Sequence, residues 1–205
     1  MGFTVCVRRF YFEKYEYTGK IHRITLFHRK LHMKSKSAIL LFISSIGFAS
    51  AAEIVVPMSS VNEQGTVKPI GTITISESSY GLIFTPSIEG LTAGIHGFHL
   101  HENPSCEPKE KEGKQVAALS AGGHFDPKTS KHHAGPWAEG HTGDLPGLVV
   151  GQDGKANYAV MAPKLKISDV KSRALVIHAG GDNYSDNPAP LGGGGARIAC
   201  GVIKG

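Results

Sequence analysis

Beyond its first 51 residues, the sequence lacks a surplus of positive charge. The formal net charge of the whole chain is +5, but residues 1–51 carry nine Lys and Arg against two Asp and Glu, whereas residues 52–205 carry thirteen against fifteen. Proteins that bind DNA or RNA contact its phosphates through clustered basic side chains. The charge distribution therefore excludes nucleic acid as a partner.

The sequence also lacks an apolar run long enough to cross a bilayer, which takes about 20 residues. The apolar run at residues 38–48 follows two lysines and precedes an Ala-Ser-Ala motif at residues 49–51. This pattern is typical of a secretory signal peptide, which we place at residues 33–51. An uncleaved membrane anchor is the alternative. We expect no integral membrane span in the mature protein.

The first 32 residues are basic and aromatic, and they show no clear period. Our hypothesis is that translation begins at Met33 and that residues 1–32 are an N-terminal extension upstream of the true start. The remaining residues 52–205 have the length of one domain.

Cysteine is scarce, and removal of the leader discards Cys6 and leaves Cys106 and Cys200. In an exported chain such a pair can persist as a disulfide. A bond closing a loop of about 90 residues would remove about 4–5 kcal/mol of unfolded-chain entropy. Two free buried thiols are the alternative.

Helical periodicity is almost missing, and short alternating runs dominate. Residues 71–86 predict two strands around a turn at residues 78–81, and residues 148–163 predict a hairpin around Asp153-Gly154. Residues 95–102, 173–180 and 196–205 predict further strands, whereas only residues 168–172 resemble a helical turn. The long segments 103–147 and 179–195 are rich in Gly, Pro and His, and loops of that length are usually functional or disordered. The sequence predicts an all-β sandwich or barrel with two large loops.

Histidines are concentrated in these strands and loops. The strand period places His99 and His101 on one face, about 6.6 Å apart, and gives His96 the opposite parity. Alone, this His-x-His pattern also fits a half-exposed strand with incidental histidines. The loop at 122–147 adds His124, the adjacent His132 and His133, His141 and Asp144, which are donors that suit a tetrahedral zinc site. His178 ends an apolar strand, where a buried imidazole needs a partner or a metal.

Together these motifs resemble those of bacterial, periplasmic-type copper/zinc superoxide dismutase. The resemblance extends from about residue 54 to the end of the chain, and its motifs are GFHLHENPSC, SAGGHFDP, KHHAGP, GHTGDLPGLVV, VIHAGGDN and PLGGGGARIACGVI. It implies a Greek-key β-sandwich, or flattened barrel, with two long functional loops. It also implies location in the periplasm.

The resemblance implies two metal ions that share one histidine. The copper ligands would be His99, His101, His124 and His178. The zinc ligands would be His124, His133, His141 and Asp144. In this family the zinc ligand lies three residues before the proline of an H-x-G-P element, and Pro136 therefore favours His133 over His132. His96 matches a structural position of the family.

The resemblance gives roles to four more residues. Asp182 would link a copper histidine to a zinc histidine, the alternative being an ordinary turn residue. Arg197 would dock the anionic substrate beside copper, the alternative being a solvated surface arginine. Cys106 and Cys200 match the disulfide pair of the family.

The implied activity is dismutation of superoxide to dioxygen and hydrogen peroxide, by ping-pong cycling between Cu(II) and Cu(I), which protects the periplasm from superoxide. His124 and Arg197 are the catalytic candidates. A non-catalytic domain that binds or delivers copper or zinc is the alternative, and loss of the bridging histidine, a copper ligand or the arginine would favour it. None of these residues is missing.

Two surface features carry weaker expectations. Lys109, Lys111 and Lys114 are candidates for electrostatic steering of superoxide, although the interleaved glutamates also fit a solvated mixed-charge loop. Trp137 is the single tryptophan. An aromatic side chain on a polar loop indicates a homodimer interface, or alternatively a cap over the zinc site.

Overall fold

The computed structural model describes residues 53–205, so the predicted extension and signal peptide lie outside the described residues. Twelve strands make up most of the regular structure: β1 Ile54–Asn62, β2 Gly65–Ser78, β3 Gly81–Glu89, β4 Gly94–His96, β5 Phe98–His101, β6 Lys109–Lys111, β7 Lys114–Val116, β8 Leu148–Val150, β9 Lys155–Ala156, β10 Val160–Ala162, β11 Arg173–His178 and β12 Arg197–Ile203. The helical elements are one α-helical turn, α1 Ile167–Val170, and two 3₁₀ turns at Leu119–Ala121 and Leu191–Gly193. Within residues 53–205, no helix is long and apolar enough to cross a membrane.

The main sheet is antiparallel and has the strand order β10-β3-β2-β1-β12-β11-β5, with β9 added beside β3. The last strand returns to lie beside the first, with Ser59 opposite Cys200, which is the long connection that defines a Greek key. Two small sheets, β4-β8 and β6-β7, complete the strand pairing. The prediction of an all-β Greek-key sandwich is confirmed.

Local turn chemistry was a good guide to the first hairpin. β2 and β3 pair from Gly71 opposite Ile88 to Ser78 opposite Gly81, and the Ser78 hydroxyl donates to the Gly81 carbonyl at 2.8 Å. The predicted turn at residues 78–81 is confirmed, as is the helical turn near residues 168–172.

The predicted hairpin in residues 148–163 is wrong, although its turn exists. The Gly151 N–H donates to the Lys155 carbonyl at 2.8 Å and closes the turn. The flanking strands then separate, because β8 pairs with β4 and β9 pairs with β3. The strand predicted over residues 95–102 is likewise divided at Gly97 into β4 and β5, which belong to different sheets.

The main core lies against one face of this sheet. Its largest fully buried side chains include Phe84, Phe98, Leu100 and Leu175, and the rings of Phe84 and Phe98 meet edge to face at 5.8 Å. Burying each such side chain contributes about 1.5–3 kcal/mol. β5 and β11 are therefore held firmly, and they are the strands that carry three of the candidate ligands.

A smaller core surrounds the disulfide between Cys106 and Cys200, which the structure contains. This disulfide joins the loop after β5 to β12, so the segment before β6 is covalently linked to the strand that begins at Arg197.

Candidate metal centre

Two adjacent strands supply three of the candidate ligands. β5 carries His99 and His101, and β11 ends at His178, with Val176 paired opposite His99. The His178 N–H donates to the Gly97 carbonyl at 2.8 Å. A Cβ at position 97 would lie 3.2 Å from the Gly181 carbonyl oxygen and 3.2 Å from the ring of His99, so glycine permits this close approach.

The loop ligands are positioned by hydrogen bonds to the backbone of β5. Leu100 donates to the Gly143 carbonyl at 2.9 Å and accepts from the Phe125 N–H at 2.8 Å, and Gly143 in turn donates to Phe125. A Cβ at Gly143 would lie 2.2 Å from the Leu100 oxygen, so only glycine fits. These bonds hold His124 and Asp144, the residues next to Phe125 and Gly143, beside the strand histidines.

The first donor group contains only imidazoles. One nitrogen from each of four histidines lies within 4.8 Å of the other three; they are His99, His101, His124 and His178. Among residues 53–205, the buried side-chain nitrogens without a hydrogen-bond partner all belong to the candidate ligands: Nδ1 of His99, Nε2 of His101, Nε2 of His124, Nδ1 of His133 and Nε2 of His178. An unpaired buried polar atom is costly. A cation among these nitrogens accounts for all of the first group.

The opposite nitrogen of each strand histidine holds its ring in place. His99 Nε2–H donates to Asp182 at 2.8 Å, His101 Nδ1–H donates to the Gly122 carbonyl at 3.0 Å, and His178 Nδ1–H donates to the Gly195 carbonyl at 3.2 Å. Each bond leaves the inward nitrogen unprotonated, with its lone pair facing the group. This is the usual arrangement of metal-binding histidines.

The second donor group is mixed. It comprises His124, His133, His141 and Asp144. Oδ1 of Asp144 lies 2.9 Å from His124 Nδ1, 3.0 Å from His133 Nδ1 and 3.2 Å from His141 Nδ1. Three histidine nitrogens and one carboxylate oxygen are a donor set that zinc accepts tetrahedrally.

His124 belongs to both groups through different atoms. Its Nδ1 faces Asp144, whereas its Nε2 has no hydrogen-bond partner. Its ring lies 3.9 Å from that of His99 and 5.3 Å from that of His141, centroid to centroid. One imidazole therefore joins the two groups.

Burial and local charge set the protonation of these residues. Burial, and then the proximity of His124, lowers the pKa of His99 to about 3. Burial likewise lowers the pKa of His178 to about 4 and that of His101 well below its ordinary value. These imidazoles are neutral at pH 7, which is the form that binds a metal ion.

Burial favours neutral imidazoles in the first group, whereas the carboxylates favour charged side chains in the second. Burial disfavours the charge of Asp144, but the adjacent imidazoles of His124, His133 and His141 hold its pKa far below the ordinary value. Although burial opposes it, the pKa of His133 is raised to about 9 by the carboxylates of Asp144 and Asp182, which lie 3.0 and 2.8 Å from its two ring nitrogens. Asp144 is therefore ionised at pH 7, and a metal ion bound there would replace the proton that His133 carries in its absence.

Asp182 connects the two groups. Its Oδ2 accepts from His99 Nε2 at 2.8 Å, and its Oδ1 accepts from His133 Nε2 at 2.8 Å. Oδ1 also accepts the N–H of Tyr184 at 2.7 Å. One carboxylate thus orients a histidine of each group.

The adjacent histidines of the loop are placed differently. His133 is 3% exposed and belongs to the second group. His132 lies at the surface, with Nδ1–H donating to the Ser130 carbonyl at 2.9 Å and Nε2 contacting the Glu139 carbonyl. His96 is buried outside both groups, with its nitrogens 2.7 Å from the His178 carbonyl and 2.9 Å from that of Thr92.

Arg197 lies beside the first group, at the start of β12. Its guanidinium donates to the carbonyls of Ala118 and Gly122, at 2.5 and 2.7 Å. Its charge lowers the pKa of His101 and His178, after larger contributions from burial and from His124. It is a partly buried, fixed cation rather than a solvated side chain.

The lysines predicted to steer superoxide and the tryptophan predicted at a dimer interface all lie at the surface. Lys109, Lys111 and Lys114 are exposed on the β6-β7 hairpin. Trp137 is 66% exposed and meets the Tyr184 ring edge to face at 5.8 Å.

Sequence reasoning missed two residues that shape the loops. Asp186 accepts the N–H of His133 at 2.8 Å and that of Leu191 at 2.9 Å, joining the loops. Lys164 donates to three carbonyls of residues 135–141, in the loop that follows His133. No local motif indicated either residue, because all of their hydrogen-bond partners are backbone groups and most of these are distant in sequence.

In this all-β domain, one histidine joins a group that contains only imidazoles to a group of three histidines and one aspartate. These are the donor sets of a dinuclear metalloprotein. The family model described as copper/zinc superoxide dismutase (SODC) matches residues 69–203. The chain belongs to this family.

Named relatives agree with this membership. The chain is 51% identical over 186 residues to the superoxide dismutase [Cu-Zn] of Neisseria meningitidis serogroup A, covering 84% of this chain and all of that protein. It is 58% identical over 157 residues to that of Haemophilus ducreyi, covering 76% of this chain and 79% of that protein. Among solved structures, the Cu/Zn superoxide dismutase from Brucella abortus is 55% identical, has a TM-score of 0.74, and is matched over 75% of this chain and 100% of its own.

Proposed function

We propose that this protein is an exported enzyme that converts two superoxide ions and two protons to dioxygen and hydrogen peroxide. The observation that supports this most strongly is the set of four partnerless histidine nitrogens directed at one point, joined through His124 to a second donor group. Membership of the copper/zinc superoxide dismutase family supports the same activity.

We assign copper to His99, His101, His124 and His178, because imidazoles suit both oxidation states of copper. We assign zinc to His124, His133, His141 and Asp144. When bound, copper supplies one-electron exchange as Cu(II) and Cu(I), and zinc supplies a fixed charge that does not change oxidation state.

The protein would contribute a proton site at His124. Nε2 of His124 faces the four-histidine group, while Nδ1 of the same ring faces Asp144. With Nδ1 held in the second group, the ring keeps its place when Nε2 gains or loses a proton. Nε2 is therefore the atom from which we expect peroxide to receive a proton.

Arg197 would select and hold the substrate. Superoxide is a small anion with little surface for contacts, so its capture depends on charge. Two carbonyls fix the guanidinium, and two hydrogen bonds leave some of its five N–H donors free for the anion. Lys109, Lys111 and Lys114 extend this proposal to steering at the rim; an unchanged salt dependence of the rate after their neutralisation would remove it.

Location and assembly complete the proposal. Residues 33–51 have the pattern of a signal peptide and the relatives are bacterial proteins, which supports export to the periplasm from a start at Met33. Cell fractionation with N-terminal sequencing tests this, and a mature chain that retains Tyr11 would contradict it. The exposed Trp137 supports a homodimer, which sedimentation of the wild type and of Trp137→Ser tests.

The activity is tested by chelation and reconstitution. The isolated protein should consume superoxide, lose this activity on chelation and regain it with copper and zinc together. Restoration by manganese or iron in place of copper would reject the proposal. The alternative of a non-catalytic metal-delivery domain predicts stoichiometric metal binding without turnover.

A further inference from the structure

The Lys164 side chain ends at three backbone carbonyls. Its Nζ lies 2.9 Å from the Gly135 oxygen, 3.1 Å from that of Ala138 and 3.0 Å from that of His141. An ammonium group has three N–H donors and no acceptor. Every donor of Lys164 therefore has a partner, and all three partners belong to one short segment.

That segment follows one proposed zinc ligand, His133, and ends at another, His141. Residues 134–141 contain neither helix nor strand. Their carbonyls thus receive no bonds from a sheet ladder, and ordering such a segment costs about 1–2 kcal/mol per residue in backbone entropy. Lys164 supplies three charged N–H donors to the carbonyls of this segment.

The lysine itself extends from a fixed platform. It lies between β10 and α1, and its neighbours Ala162 and Leu165 are each 2% exposed in the main core. The ammonium therefore connects the segment to the core rather than to another loop. Hydrogen bonds to a charged donor are stronger than neutral ones.

We propose that Lys164 is a positioning residue that shapes residues 134–141 before zinc arrives, so that His133 and His141 already face Asp144. This inference rests on the proposed zinc site, and Lys164 acts on that site only through the backbone. We expect Lys164 to affect zinc binding more than copper binding, because three of the proposed copper ligands lie on β5 and β11.

The test measures zinc binding rather than superoxide turnover. The full chain is produced as wild type, Lys164→Met, Lys164→Arg and Lys128→Met, stripped of metal, and titrated with zinc against a chromophoric chelator. Met keeps the apolar stem and removes the donors. Lys128 is an exposed lysine of the same loop, so its substitution controls for the lost charge.

We expect Lys164→Met to weaken zinc binding about 10- to 100-fold and to accelerate zinc release similarly, as the loss of charged hydrogen bonds implies. The zinc affinity of Lys128→Met should remain within about twofold of the wild type. That of Lys164→Arg should lie between those of the wild type and Lys164→Met, because a planar guanidinium cannot reproduce the contact with three carbonyls. Amide exchange at residues 134–141 of the metal-free protein should accelerate in Lys164→Met while β5 and β11 keep their protection.

Equal zinc affinity and release in Lys164→Met and Lys128→Met would overturn the inference. If Lys164→Met does not fold, Lys164→Cys alkylated with bromoethylamine restores an ammonium, and recovery of zinc affinity on alkylation is then required. A wild type that binds zinc without consuming superoxide would refute the proposed activity and leave this comparison intact.

Discussion

Arg197 and His101 donate hydrogen bonds to the same atom, the carbonyl oxygen of Gly122, at 2.7 and 3.0 Å. One is the proposed anion-docking group and the other a proposed copper ligand, so a single backbone atom fixes their relative position. The disulfide between Cys106 and Cys200 links the neighbouring loop to the strand of Arg197, which limits the movement of this arrangement.

Arg197→Met should lower kcat/KM by about 10- to 100-fold, within the range that electrostatic capture contributes to association rates, while copper and zinc contents stay unchanged. Arg197→Lys should recover part of the rate, because its charge remains but its compact ammonium cannot reproduce the guanidinium contacts. Pulse radiolysis at several salt concentrations measures both effects. An undiminished salt dependence in Arg197→Met would contradict the docking role.

Asp182→Asn should weaken zinc binding about 10- to 100-fold, the usual cost of removing a hydrogen-bond partner of a metal-binding histidine. Asp182 accepts from both His99 and His133, whereas an amide has only one oxygen and offers N–H groups on its other side. One of the two rings must then lose its acceptor. Zinc competition titrations check the change, and wild-type affinity would remove the bridging role.

His124→Ala should weaken zinc binding by more than about 100-fold, beyond the effect of losing an outer hydrogen-bond partner, and should abolish activity. The reason is that one ring contributes Nδ1 to one group and Nε2 to the other. Isothermal titration with each metal separately is the measurement. Intact zinc affinity would contradict the ligand assignment.

A paired substitution separates the two adjacent histidines. His133→Ala should lose most zinc affinity, whereas His132→Ala should change it by less than about tenfold, the smallest usual effect of removing a group that only supports a ligand, since His132 contacts carbonyls at the surface. The reverse order of effects would assign the ligand to His132.

The chelated protein should lose stability as the pH falls below about 6.5, the ordinary pKa of histidine. The folded pKa of His99 is about 3 and that of His178 about 4. Between these values and 6.5 the unfolded chain binds more protons, so stability rises with pH in that window. His133, with a pKa of about 9, acts oppositely, and its contribution is lost between pH 6.5 and 9.

Urea denaturation of the chelated protein at pH 4.5, 5.5, 6.5 and 8 measures these changes. His178→Gln carries no ionisable ring and should show a shallower loss of stability in acid. An identical acid slope in this variant would show that burial of His178 does not cause the pH dependence.

Local patterns were enough to predict much of the site. The two-residue period of a strand placed His99 and His101 on one face, and the order of apolar and turn residues located β2, β3, β11 and β12. The resemblance to a family selected His133 over His132, and the structure places His133 in the buried group.

Only the tertiary structure decided which strands pair and which atoms face inward. The strand at residues 95–102 divides at Gly97 because the chain there lies against residues 178–181, a contact across about eighty positions. The inward nitrogen of each histidine is determined by the partner of the other nitrogen, such as Gly122 or Asp182, and Lys164 acts through backbone oxygens that carry no sequence signature. Periodicity reports the environment of a residue along its own strand, whereas these relations depend on how distant segments pack.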